Sequence, residues 1–96
     1  MLALAERHGL VVITDEVYKD FIWTHETPGN PAKQARHRDR VVRICSFSKT
    51  YGMTGWRVGF LHTERGRAAE ILKVHDALVT CAPVVSQYAA IAALQL

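Results

Sequence analysis

The segment Ser46-Phe47-Ser48-Lys49-Thr50-Tyr51-Gly52-Met53-Thr54-Gly55-Trp56-Arg57-Val58-Gly59 sets serine and threonine hydroxyls, one lysine, three glycines and one arginine in a single short run. Structural needs alone seldom assemble that mixture. Glycine permits positive φ and close backbone approach, while hydroxyls and a guanidinium are donors to anions. Apolar stretches lie on either side, Val41 to Cys45 before it and Arg57 to Leu61 across its end, and predict two neighbouring strands joined by this polar loop. Further upstream, Leu10-Val11-Val12-Ile13 is a near-continuous aliphatic run, the pattern of a strand covered on both faces of a parallel sheet. Gly9 stands where a left-handed cap would close the helix-like stretch Met1 to His8.

Downstream, Ala68, Ile71, Leu72, His75, Leu78 and Val79 recur at helical spacing between Arg65 and Val79. They predict an amphipathic helix packed on the sheet, with His75 a packed or partly buried histidine on its apolar side. Pro83 separates it from an Ala-rich helix expected to begin near Ser86, a residue type suited to the N-cap. Between Trp23 and Arg40 the residues Pro28, Gly29 and Pro31 break any regular element, so a loop is expected. Its cations Lys33, Arg36, Arg38 and Arg40 lack interleaved aromatics and are read as a solvated face, not as a phosphate-binding arm.

The order helix, strand, loop, strand, strand, helix, helix belongs to the α/β class, without internal repeats. Three apolar strands leave a sheet edge bare, so the 96 residues are expected to be the middle of a domain. A hydrophobic share of 49%, a charged share of 22% and a mean hydropathy of 0.00 describe a globular chain. No apolar run reaches the roughly 18 residues that span a bilayer, so no membrane association is expected. A formal net charge of +3 is too small to imply a nucleic-acid partner. Signal-peptide blocks are missing from the start, which predicts a cytoplasmic chain. Cys45 and Cys81 share no metal-ligand or paired spacing and are expected to be reduced and buried. The histidines at 8, 25, 37, 62 and 75 offer no helical pair at zinc-binding spacing, and no metal site is expected.

The chemistry concentrates in two places. A lysine held near phosphate donors and other cations has its amine pushed toward the unprotonated form, the only form that attacks a carbonyl to make a Schiff base. Lys49 is that lysine. Asp15-Glu16-Val17-Tyr18 follows the first strand and sets a carboxylate and a phenol at a strand's carboxyl end, where α/β sheets bind ligands. Asp15 beside a heterocyclic nitrogen would keep it protonated, and Tyr18 would hydrogen-bond a ring oxygen. These are the parts of a pyridoxal phosphate site. For Asp15 and Arg57 the competing reading is a buried salt bridge between sheet ends, for Tyr18 a core residue and for Ser46 a turn. Glu16, Met53 and Trp56 are read as structural. Gly52, Gly55 and Gly59 fit neither the dinucleotide nor the Walker spacing.

On these residues the sequence resembles the large domain of the class I/II pyridoxal-phosphate-dependent aminotransferases of fold type I. A small residue stands three before the lysine, another directly before it, and an arginine eight after it, followed by an aliphatic residue and a glycine: Ser46, Ser48, Arg57, Val58 and Gly59. The resemblance implies a mostly parallel sheet flanked by helices and pyridoxal 5'-phosphate as cofactor. It implies Lys49 as the Schiff-base and proton-carrying residue, Asp15 at the pyridine nitrogen, Tyr18 at the 3'-oxygen, and Ser46, Ser48 and Arg57 at the phosphate. It further implies amino acid and 2-oxo acid substrates and a homodimer, with Cys81 to Gln87 in the loop that approaches the partner subunit. Residues 1–96 would then be part of the cofactor-binding large domain, with the N-terminal part and the small domain absent and the isolated piece inactive. Two alternatives share the attachment segment: another fold-type I enzyme, such as a lyase or synthase, and the aminotransferase-like sensor domain of a winged-helix transcription regulator.

Overall fold

The computed structural model describes residues 1–25 and 29–95, so Pro28 of the expected loop lies outside the described residues. Helix α1 (Leu2–Arg7) ends where expected, with Gly9 at φ 63° and the Leu10 amide donating to the Ala5 carbonyl at 2.8 Å. Strand β1 (Val12–Asp15) follows, then β2 (Val41–Ser46) and β3 (Gly59–His62). Helices α2 (Arg65–Leu78) and α3 (Val84–Ala93) complete the chain. The Trp23 to Arg40 segment is less irregular than expected, because short 3-10 turns at Pro31–Lys33 and Ala35–Arg40 lead into β2. Asn30 starts the first of these by accepting the Ala32 amide on its side chain.

The three strands lie in the order β1-β2-β3, with β2 central. β1 and β2 are parallel, Val12 opposite Val41 and Asp15 opposite Ile44. β2 and β3 are antiparallel, Arg43 opposite His62 and Ser46 opposite Gly59. A sheet expected to be mostly parallel thus has one pairing of each kind among the described residues. The geometry has a simple consequence: the carboxyl ends of β1 and β2 and the amino end of β3 lie at the same end of the sheet. Gly59 makes the last pairing possible. A Cβ there would stand 2.6 Å from the Cys45 carbonyl oxygen, closer than any side chain tolerates.

Burial concentrates on the central strand, where Val41, Val42 and Cys45 are buried, and on a second cluster beneath the Ser46 to Gly59 loop. That cluster joins Phe47, Met53 and Val58 of the loop to Ala90 of α3, with Ala82, Ala89 and Ala93 packed around it. A fully buried side chain such as Phe47 contributes about 2–3 kcal/mol, so the loop is anchored by its own apolar residues. Met53 is structural, as expected, whereas Trp56 is 44% exposed.

Several expectations are corrected. Ser86 does not start α3; Pro83 holds the N-cap position at φ −52°, and Ser86 is buried one turn inside. Proline fixes φ before a helix without losing a needed donor, which outweighs the serine's capping preference. β1 is not covered on both faces, since Ile13 is 65% exposed. Helix α2 buries none of its residues, and His75 is exposed on it. A cleft of about 690 Å³ separates its Ile71 and Leu72 from Phe60 and Leu61 of β3. Cys45 is buried, which raises its thiol's pKa, but Cys81 is exposed.

Candidate functional site

Each of the six residues singled out in the sequence belongs to the shared end of the sheet or to the loops that leave it. Asp15 is the last residue of β1 and Ser46 the last of β2, while Arg57 lies two residues before β3 begins at Gly59. The register sets Asp15 opposite Ile44 and Ser46 opposite Gly59, so a carboxylate, a hydroxyl and, two residues before Gly59, a guanidinium come to one end of the sheet from three parts of the chain. Tyr18 and Lys49 sit three residues beyond the ends of β1 and β2 respectively. Their side chains meet, with the Lys49 Nζ 5.8 Å from the centroid of the Tyr18 ring. That is a cation–π distance.

Local hydrogen bonds leave the reactive atoms available. Asp15 Oδ1 accepts the Val17 amide at 3.1 Å, an Asx turn that orients the carboxylate and leaves Oδ2 open. Ser46 Oγ accepts the Ser48 amide at 3.0 Å, so its own O–H remains a free donor. Arg57 occupies the left-handed region at φ 53°, ψ 49°, and donates from one terminal nitrogen to the Thr54 carbonyl at 2.8 Å. Its remaining side-chain N–H groups have no hydrogen-bond partner among the described residues. Ser46, Ser48 and Arg57 line the same cleft; Asp15, Tyr18 and Lys49 do not line it. Asp15, Arg57 and Lys49 form no ion pair among the described residues, and the first two are exposed, which sets aside the buried salt bridge considered for them.

The loops are tied down by groups that the sequence reading passed over. Thr54 Oγ1 donates to the Ser48 carbonyl at 2.9 Å, closing the loop around Lys49, and the Phe47 amide donates to the Val58 carbonyl at 3.3 Å at its base. Thr50 Oγ1 donates to Asp20 Oδ2 at 2.6 Å, and Lys19 Nζ donates to Asp20 Oδ1 at 2.9 Å. These contacts, the Thr50 bond first, hold the Asp20 carboxyl below its ordinary pKa, while the Asp20 bond raises Lys19. The signal lay in adjacency alone, since Thr50 follows Lys49 and Asp20 stands two beyond Tyr18.

Glu16 is structural, as expected. Its carboxylate takes a bidentate pair from Arg43, Nε at 2.8 Å and the terminal nitrogen at 2.5 Å, and a hydrogen bond from Thr14 at 3.0 Å. The Arg43 bond lowers the Glu16 pKa against the opposing effect of burial. The pair crosses from the loop after β1 to β2 and reinforces the parallel pairing just below the site.

The donor set matches pyridoxal phosphate in its chemistry. An open carboxylate oxygen suits a protonated ring nitrogen, hydroxyl and guanidinium N–H groups suit a phosphate, and an amine free of carboxylates suits an aldehyde.

Comparison with known proteins agrees. The family described as Aminotransferase class I and II matches residues 1–96. The aspartate aminotransferase of Thermotoga maritima is 36% identical over 95 residues, covering 99% of this chain and 25% of the relative. A crystal structure of a Thermotoga maritima aspartate aminotransferase superposes with a TM-score of 0.87 at 35% identity, covering 99% of this chain and 25% of that one. For an aromatic aminotransferase of Pyrococcus horikoshii the TM-score is 0.85 at 34% identity, over 93% of this chain and 24% of that one. The chain spans about a quarter of the length of the curated relatives it matches. With a family match over its whole length and the α/β architecture shared with those structures, this chain belongs to the class I and II aminotransferases.

Proposed function

We infer that residues 1–96 form the lysine-bearing part of the large domain of a pyridoxal-phosphate-dependent aminotransferase, moving an amino group between an amino acid and a 2-oxo acid. The observation that supports this most is the convergence at one sheet end. Asp15 and Ser46 arrive there by register and Arg57 in the loop that leads into β3, and the Lys49 amine, without a carboxylate partner among the described residues, lies against the Tyr18 ring.

Pyridoxal phosphate, when bound, supplies an aldehyde that holds an amino group and a ring that takes up the electron pair left when an amino acid loses its α-proton. The chain's residues divide the remaining work. Lys49 would be the amine that holds the cofactor's aldehyde group, with release of water, and the group that carries the proton leaving and returning at the substrate's α-carbon. Asp15 Oδ2 would accept a hydrogen bond from the protonated ring nitrogen and stabilise its positive charge. Tyr18 donates its hydroxyl to the ring oxygen, and Ser46, Ser48 and Arg57 hold the phosphate by charge-assisted hydrogen bonds. A homodimer and a cytoplasmic setting belong to the same reading, the latter supported by two unpaired cysteines. The names of the relatives, aspartate and aromatic aminotransferases, give the substrate classes to try first.

The test uses internal controls, because the chain has four lysines, Lys19, Lys33, Lys49 and Lys73. Incubating the chain with pyridoxal phosphate, reducing with borohydride and mapping the label by peptide mass spectrometry should place most of it on Lys49. Asp15→Asn and Arg57→Gln should each lower that preference. An even spread over the four lysines, unmoved by either substitution, would overturn the assignment.

A further inference from the structure

We propose that the Thr50–Asp20 hydrogen bond is a positioning tie that holds the Lys49 amine against the Tyr18 ring, so that Asp20 and Thr50 set the geometry of the reactive lysine without touching it. The proposal rests on the reading of Lys49 given above only for its consequence in cofactor capture; the positioning itself is a property of the chain.

The need for a tie follows from the topology. Lys49 and Tyr18 lie on two loops that leave different strands, each three residues past its strand end. The parallel β1–β2 register fixes where the loops begin but not where their tips go. Each loop is stiff within itself. In the first, the Lys19 amide donates to the Glu16 carbonyl at 3.1 Å and the Phe21 amide to the Tyr18 carbonyl at 3.0 Å. In the second, the Tyr51 amide donates to the Phe47 carbonyl at 3.3 Å and the Gly52 amide to the Lys49 carbonyl at 3.2 Å. None of these bonds crosses from one turn to the other, so the two tips can still move relative to one another.

Between them stands one hydrogen bond among the described residues, Thr50 Oγ1 to Asp20 Oδ2 at 2.6 Å, spanning 30 residues of sequence. Its acceptor is an anion, so the bond is of the short, charge-assisted kind. Lys19 Nζ lies 2.9 Å from Asp20 Oδ1 and 3.0 Å from Oδ2, which orients the carboxylate toward Thr50 and favours its ionised form. The two atoms of the tie are adjacent to what they position, Thr50 next to Lys49 and Asp20 two residues past Tyr18. Tyr18 is 61% exposed and leans edge-on against Phe21 at 6.2 Å, so no core packing fixes its ring. The tie compensates for that missing packing.

The experiment compares the full chain with Thr50→Val, which keeps the shape and removes the donor, Thr50→Ser, which keeps the donor, and Asp20→Asn, which removes the charge. The first readout needs no cofactor: the nuclear Overhauser effect between the Lys49 ε-methylene and the Tyr18 ring protons. It should persist in Thr50→Ser, fall at least threefold in Thr50→Val and weaken in Asp20→Asn, with the far-ultraviolet circular dichroism of all three unchanged. The second readout is the ratio of Lys49 to Lys73 label after pyridoxal phosphate and borohydride, expected to fall three- to tenfold in Thr50→Val and to recover in Thr50→Ser. If Thr50→Val keeps both the contact and the ratio, the tie positions nothing and the proposal fails. If the contact depends on Thr50 but the unaltered chain labels its lysines evenly, the tie stands and the cofactor reading of Lys49 fails instead.

Discussion

Arg57 holds a conformation that costs it energy while its side chain stays open to solvent. An L-residue in the left-handed region carries about 1–2 kcal/mol of strain, and Arg57 sits there at φ 53° with an exposed side chain and one hydrogen bond to the Thr54 carbonyl. A purely structural position of that φ would favour glycine. Arg57→Gly should therefore separate stability from binding. The relieved strain offsets the lost exposed hydrogen bond, so the unfolding free energy should stay within about 1 kcal/mol of the unaltered chain. Capture of pyridoxal phosphate should fall about tenfold or more, since a charge-assisted anion contact is worth about 1.5–3 kcal/mol. Urea unfolding and absorbance titration read the two quantities. A loss of stability above about 2 kcal/mol with unchanged capture would make Arg57 a structural residue. Lys49, Asp15 and Arg57 were legible in the sequence because a lone lysine and arginine among hydroxyls and glycines are chemically conspicuous. Asp20 and Thr50 were not, because their significance lies in a pairing across 30 residues between two commonplace side chains.

At the scale of elements, local chemistry was legible and burial was not. The aliphatic runs became β1 and β2 to within two residues, and Gly9 took the left-handed cap, because propensity and backbone sterics act locally. Helix α2 has nearly the expected bounds yet buries none of its residues, since its periodicity says which face is apolar and not what lies opposite. The antiparallel turn of β3 was invisible for the same reason, depending on how the loop from Ser46 to Val58 folds over Phe47 and Met53. An ion pair ties the loop after β1 to β2. Glu16 and Arg43 are 15% and 19% exposed, and the Arg43 hydrogen bond is the main cause of the lowered Glu16 pKa. A carboxyl depressed in the folded state adds stability above the ordinary glutamate range, and that stability is lost as pH falls through the depressed value. Glu16→Gln should therefore cost about 2 kcal/mol at pH 7, roughly 10 °C in Tm, and distinctly less at pH 3, where the pH is below the ordinary glutamate range and part of that stability is already lost. Thermal melts of both chains at the two pH values check this. An equal difference at both would mean that shape, not charge, joins the strands.

The whole molecule is broad and thin, 43 × 41 × 19 Å, with a radius of gyration of 15.1 Å against about 12.5 Å for a compact domain of this length. The excess reflects apolar surface left open among the described residues. By the strand register Ile13, Ile44 and Leu61 share one face of the sheet, and they are 65%, 44% and 41% exposed. Leu72 across the cleft is 62% exposed. Among the described residues both outer strands, β1 and β3, pair on one side only. An apolar face between two unpaired edges favours association of like chains over hydration. The chain should therefore sediment above its 10.8 kDa monomer mass at tens of micromolar and bind a hydrophobic dye such as anilinonaphthalene sulfonate. Lysine on an edge strand blocks both edge pairing and face-to-face burial, because its ammonium cannot be buried unpaired. Ile13→Lys combined with Leu61→Lys replaces two exposed side chains, so it should cost about 1 kcal/mol or less in stability while shifting the sedimenting species to monomer and reducing dye binding. A monomer in the unaltered chain, or association untouched by the two lysines, would place the sticky surface elsewhere, with the exposed Val84, Tyr88 and Ile91 of α3 the next face to alter.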